Sequence, residues 1–116
     1  MTRKNSNFDS SKTDALDGVT VEDLDQTVRR QLMRITRNDV KGALVADVAQ
    51  NSNSAEAGLR PGDIIEEINH QPVTGADDAM KLCNDAKGKQ ILLKVCHIIQ
   101  GQVGTRYLSV DNTVEK

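Results

Sequence analysis

The sequence predicts a small α+β domain with about five or six short strands and two helices. Three observations carry this. Five stretches have strand character: "ALDGVTV", "GALVADVAQ", "DIIEEIN", "KQILLKVCHII" and "TRYLSV". Two segments, "EDLDQTVRRQLMR" and "GADDAMKLCNDA", repeat apolar residues at helical spacing instead. And 116 residues that are 37% hydrophobic, with Phe8 and Tyr107 the only aromatics, provide for one aliphatic core and so for one domain.

Along the chain, residues 1–14 are polar and read as a disordered tail or inter-domain linker. Gly18 punctuates a short strand in which Val19 and Val21 alternate around Thr20. The first helix follows, with Leu24, Val28 and Leu32 as its apolar stripe and Asp23 with Gln26 as its capping box. Acidic residues near its start and Arg29, Arg30 and Arg34 toward its end suit the helix dipole. Those arginines are either a solvated face or a docking patch for an acidic partner. Gly42–Gln50 reads as a buried strand centred on Leu44 and Val45.

A corner comes next. Ser54 caps one helical turn, "SAEA", which Gly58 ends, and "RPGD" fits a type II turn with Gly62 where φ must be positive. In "DIIEEIN", Ile64, Glu66 and Ile68 share one face and Ile65 and Glu67 the other; this imperfect alternation calls for a bulge or an edge position. "NHQPV" reverses into a short strand whose Pro72 belongs at an edge. The second helix, Gly75–Ala86, carries Ala76, Ala79, Met80 and Cys83 on one face. Strand Lys89–Ile99 is followed by a hairpin through "GQVG", strand Thr105–Val110, and a frayed end from residue 111.

Several function classes are excluded by these residues. A net charge of −2 with mixed signs does not suit a general nucleic-acid binder. No apolar run reaches the length of a membrane span, and the first residues lack the apolar stretch of a signal peptide. Cys83 and Cys96 form no CxxC motif and read as two unpaired, packed thiols, with a bridge between them left open. His70 and His97 have no serine in a nucleophile setting to serve, Cys83 belongs to a helix face, and Cys96-His97 with a distant Cys83 or His70 is a poor zinc set. The expectation is no catalytic site, no metal and no cofactor.

The order "GALVADV…AEAGLRPGDIIEEINHQPV", then a helix, then "ILLKV", resembles a PDZ domain from about Ala15 to Val110. "AGLRPGDIIEEIN" is similar to the AGL-x-x-GD-x-I-x-x-(I/V)-N-G segment of bacterial members, with His70 where that pattern has Gly. That departure places His70 at positive φ. "LDGVTVEDL" followed by a helix, and the closing "GTRYLSV", resemble the second PDZ domain of HtrA/Deg-type serine proteases, although "CHIIQGQVG" is longer than the hairpin usual there.

The resemblance implies a PDZ-like β-sandwich or partly open barrel of five to six strands with two helices, spanning residues 15–110. It implies a non-catalytic module that takes an extended peptide or protein C-terminus by strand addition. The edge would be Gly18–Val21, Thr20 included, and the facing helix Gly75–Ala86. Amides of Asp17, Gly18 and Val19 would face the terminal carboxylate. Val19, Val21, Met80 and Cys83 would wall the pocket for the last side chain, Leu16 would close one end, and Ala76 would face a residue two back. Asp17 departs from the family's hydrophobic-Gly-hydrophobic loop, and its charge would repel a carboxylate by about 1 kcal/mol or more. The site then binds internal segments, or binds weakly, or uses only the Asp17 amide. Alternatives are an assembly domain that binds no free peptide, or the PDZ domain of a tail-specific or intramembrane protease or a secretion adaptor. The implied partners are peptides, unfolded segments or neighbouring protease subunits in the periplasm, with no nucleic acid and a monomeric isolated chain.

Overall fold

The computed structural model describes the backbone of residues 12–16 and the whole of 18–86 and 88–112. Ten elements follow one another: β1 (Lys12–Leu16), β2 (Val19–Asp23), α1 (Gln26–Thr36), β3 (Ala43–Val48), α2 (Asn53–Ala57), β4 (Ile64–Ile68), β5 (Gln71–Pro72), α3 (Ala76–Asp85), β6 (Gln90–Ile99) and β7 (Gln102–Asp111). The strands form a single antiparallel sheet in the order β1-β2-β3-β4-β6-β7, with β5 paired to β4. The strand over the expected count is β1, which begins inside the segment read as tail; the two-residue β5 is the short strand expected at "NHQPV". The third helix, α2, is the short turn expected at "SAEA".

Adjacent residues of a strand point to opposite faces, and the two faces hold different apolar clusters. On one, Val19, Val21, Val45, Ile65, Ile68, Leu93 and Val95 meet Ala76, Ala79 and Cys83 of α3. On the other, Ile64 and Cys96 meet Leu32 of α1, with Leu24, Val28 and Leu44 packed around them. Of the expected stripe, Val28 and Leu32 lie on the buried face of α1, while Leu24 packs on the same cluster from just before the helix. Ile65 and Ile68 share a cluster although the alternation assigned them to opposite faces. The reason is a register shift against β6 between Ile65 and Glu67, the bulge the sequence called for.

Helix boundaries differ from expectation. β2 runs through Asp23, so Glu22 and Asp23 belong to a strand, and the N-cap of α1 is Asp25, whose Oδ1 accepts from the Val28 N–H at 2.9 Å. The N-cap of α2 is Ser52 rather than Ser54, which is buried inside the helix. The β6–β7 hairpin is regular throughout, from Gln90↔Asp111 to Ile99↔Gln102. It turns on Gln100 and Gly101, both at positive φ as a two-residue turn requires, so the length of "CHIIQGQVG" is simply strand. β7 reaches Asp111, and Asn112 is buried with its Nδ2 donating to the Cys83 carbonyl at 2.8 Å, inside the end read as frayed.

Candidate functional site

The corner is a structural device. Asp63 is 4% exposed, and its Oδ2 accepts from the Arg60 N–H at 3.0 Å and from Arg106 Nη2 at 2.6 Å. Arg106 also donates to the Gly58 carbonyl at 3.3 Å, so β7 fastens both ends of "GLRPGD". Gly62 has φ 96, and the Asp63 N–H donates to the Arg60 carbonyl at 3.1 Å, as the type II turn predicts. Asn69 and His70 follow at φ 52 and φ 68 in the turn to β5, so His70 holds the strained conformation expected of it.

The seam expected to take a peptide lies between β2 and α3, and the core closes it. Val19, Val21, Ala76, Ala79 and Cys83 are buried there in one cluster, with Met80 packed against it from a half-buried position. Val19, Val21, Met80 and Cys83, expected as walls of the pocket, and Ala76, expected to face a residue two back, are thus brought together. Burial pushes the Cys83 thiol up to about 12, which keeps it protonated at neutral pH. Thr20 is partly exposed and pairs with Asp47 of β3 on one side and Thr13 of β1 on the other. Leu16 is placed by its backbone, opposite Val19, and Asp17 lies outside the described residues.

The two ends of the groove are built differently. At one end Gly18 has φ 74, and a Cβ there would lie 2.7 Å from the Ser52 Cβ. Its carbonyl accepts from the Ala49 N–H at 2.8 Å, so the turn before β2 is pinned to the cap of α2. At the other end Asp23 Oδ1 accepts from the Ala76 N–H at 2.7 Å. The N-cap of α3 is Gly75, which has no side chain to do this, and a Cβ on it would lie 2.8 Å from the same oxygen. β2 therefore caps the helix that faces it. Thr74 adds a second fastening, since Asp78 accepts from both its hydroxyl and its N–H; the hydroxyl first, then the N–H, hold the Asp78 carboxyl below its usual value.

The edge expected to receive a peptide is paired on both sides in this structure: β2 pairs with β3 on one side and with β1 on the other, and β1 lies alongside α3. The chain's own Lys12–Leu16 occupies the place assigned to a ligand strand. A signal for this stands in the sequence, since Asp-Gly is a preferred pair for a two-residue hairpin loop. The capping role of Asp23 had no such signal.

Residues 44–97 match the family described as PDZ domain. The chain carries a PDZ domain. Its curated relatives include a probable periplasmic serine endoprotease, DegP-like, of Rhizobium meliloti, 36% identical over 75 residues, which are 65% of this chain and 15% of that protein. The corresponding protein of Chlamydia muridarum is 33% identical over 86 residues, 74% of this chain and 16% of its own length. This PDZ chain thus spans a small part of the proteases it matches. Among solved structures, the HtrA3 PDZ domain bound to a phage-derived ligand (FGRWV) has a TM-score of 0.61 at 20% identity, over 87% of this chain and 84% of that one. The HtrA-type protease AlgW with a decapeptide has a TM-score of 0.63 at 24% identity, over 87% and 30%. Both share the PDZ fold described above.

Proposed function

We propose that this PDZ domain is the non-catalytic module of an HtrA-like periplasmic serine endoprotease, and that it binds an extended peptide or a protein C-terminus by strand addition between Gly18–Val21 and Gly75–Ala86. It would regulate substrate capture or assembly in the parent enzyme. The observation that carries this reading is the apolar seam between β2 and α3. Val19 and Val21 face Ala76, Ala79, Met80 and Cys83, and one antiparallel strand, β1, already fits beside β2. The small Ala76 side chain at the start of α3 offers no polar partner, which favours an apolar ligand residue there. The named relatives support the protease context and the periplasm.

A strand of about four residues makes a few hydrogen bonds of roughly 1 kcal/mol each, and with one or two apolar pockets the affinity is about micromolar at best. The test is titration of a fluorescent FGRWV pentapeptide, chosen because it is a ligand of the HtrA3 fold relative. Binding in the micromolar range, weakened about tenfold by Met80→Ala, supports the groove. Binding that ignores Met80→Ala places the peptide elsewhere. A second reading, an assembly domain that takes no free peptide, is favoured by the pairing of β1 with β2, and absence of binding to any apolar C-terminal peptide would select it.

A further inference from the structure

We propose that Lys12–Leu16 is an in-cis occupant of the groove, and that a free peptide adds to β2 only after this strand leaves. The inference rests on the reading of the groove as the peptide site. It deepens that reading by naming the competitor.

The register makes β1 a ligand mimic. It runs from Lys12 opposite Val21 to Leu16 opposite Val19, toward Gly18. A bound peptide whose terminal carboxylate met the Gly18 amide would run the same way. Leu16 therefore stands at the register position of a ligand's last residue. In place of a free carboxylate, its carbonyl continues into the chain. Leu16 and Val19 are paired with two residues between them, Asp17 and Gly18, and Gly18 has φ 74. Asp-Gly is what such a loop prefers. By sequence preference, an Asp-Gly pair suits a hairpin loop better than a carboxylate-binding loop.

The pairing is also built to give way. The β1–β2 ladder is interrupted between Thr13 and Leu16, leaving the pairs Lys12↔Val21, Thr13↔Thr20 and Leu16↔Val19. β2 keeps five paired residues on its β3 side, so loss of β1 leaves it in the sheet. A strand tethered through two residues competes at high effective concentration, and the apparent affinity for a free peptide falls by the fraction of chains in which the groove is open.

Two full-length variants test this with the pentapeptide probe. Thr13 and Thr20 are register partners across the pair; directly opposite antiparallel residues have Cα atoms about 4.5–5.5 Å apart, within the range of a disulfide, so T13C/T20C is the variant to lock β1 onto β2 when oxidised. Cys83 and Cys96 are buried and do not compete for the bridge. Reduction of this variant is expected to raise peptide affinity about tenfold or more. T13P, which removes a backbone donor from β1, is expected to tighten binding severalfold over the parent chain and to speed hydrogen exchange at the β2 amides. Equal affinity in the oxidised and reduced forms, with Met80→Ala still weakening binding, overturns the in-cis occupant and leaves the groove standing. A T13P chain whose β2 amides exchange freely, yet which binds no peptide at millimolar concentration, overturns the groove reading itself.

Discussion

Asp23, the last residue of β2, accepts a 2.7 Å hydrogen bond from the N–H of Ala76, the first residue of α3. One contact joins the strand and the helix that form the groove, across 53 positions of sequence. It replaces the capping side chain that Gly75 lacks, and Gly75 is what lets the carboxylate approach. Asp23→Ala is expected to cost about 1 kcal/mol in urea denaturation, as loss of a helix cap does, and Asp23→Asn to recover most of it. Gly75→Ala should mimic Asp23→Ala, because its Cβ displaces the same oxygen.

Gly18 fixes the other end. Gly18→Ala forces a side chain against Ser52 and into a left-handed conformation, so a loss of about 2–3 kcal/mol is expected. Ser52→Gly in the same chain should restore part of it by removing the collision, at the expense of the α2 cap. A double-mutant cycle measures the coupling.

The Asp63–Arg106 pair belongs to the fold and not to the site. Asp63→Ala leaves Arg106 without its carboxylate and the Arg60 N–H without its acceptor, and is expected to cost about 3 kcal/mol. Peptide affinity of the folded fraction should stay within about twofold, since Asp63 contacts β3 and β7 and the Arg60 turn, with β3 between it and β2. A large loss of affinity at unchanged stability would move the site to the corner.

His70 is strained at φ 68 in an exposed turn. His70→Gly relieves that strain and is expected to stabilise the domain by about 0.5–1 kcal/mol, or roughly 3–6 °C in Tm. An unchanged or lowered Tm would show that the imidazole has contacts that offset its backbone cost.

Burial raises the Cys83 thiol to about 12, and raises Cys96 as well, by burial first and then by the Glu66 carboxylate. In the unfolded chain these thiols lose their protons from about pH 8.5 upward. The folded chain holds them, so above that pH the unfolded state binds fewer protons and stability falls as pH rises. Stability is expected to be level in this respect below pH 8 and to decline from about pH 8.5 toward about pH 12, less steeply in Cys83→Ala. Alkylation of the folded protein at pH 8 should proceed only at the rate of opening.

Local patterns were readable and remote partners were not. The stripe Leu24-Val28-Leu32, the apolar face of α3, the bulge in "DIIEEIN" and the turn at His70 each follow from residues within one or two turns of each other. The Asp23–Ala76 and Asp63–Arg106 contacts join residues 53 and 43 positions apart, and no local spacing encodes them. Asp23 was assigned to the nearer helix because a carboxylate three residues before Gln26 satisfies that pattern equally well. β1 is different, since Asp-Gly is a pair that two-residue hairpin loops favour. The family pattern drew attention to what Asp17 lacked for binding a carboxylate, and not to the hairpin that the same two residues favour.

The most direct test of the groove is the map of backbone amide shifts during titration with an apolar C-terminal peptide. The account predicts perturbations at Gly18–Val21 and Met80–Cys83, together with release of Lys12–Leu16. Perturbations confined to the arginine-bearing helix Gln26–Thr36 would contradict it.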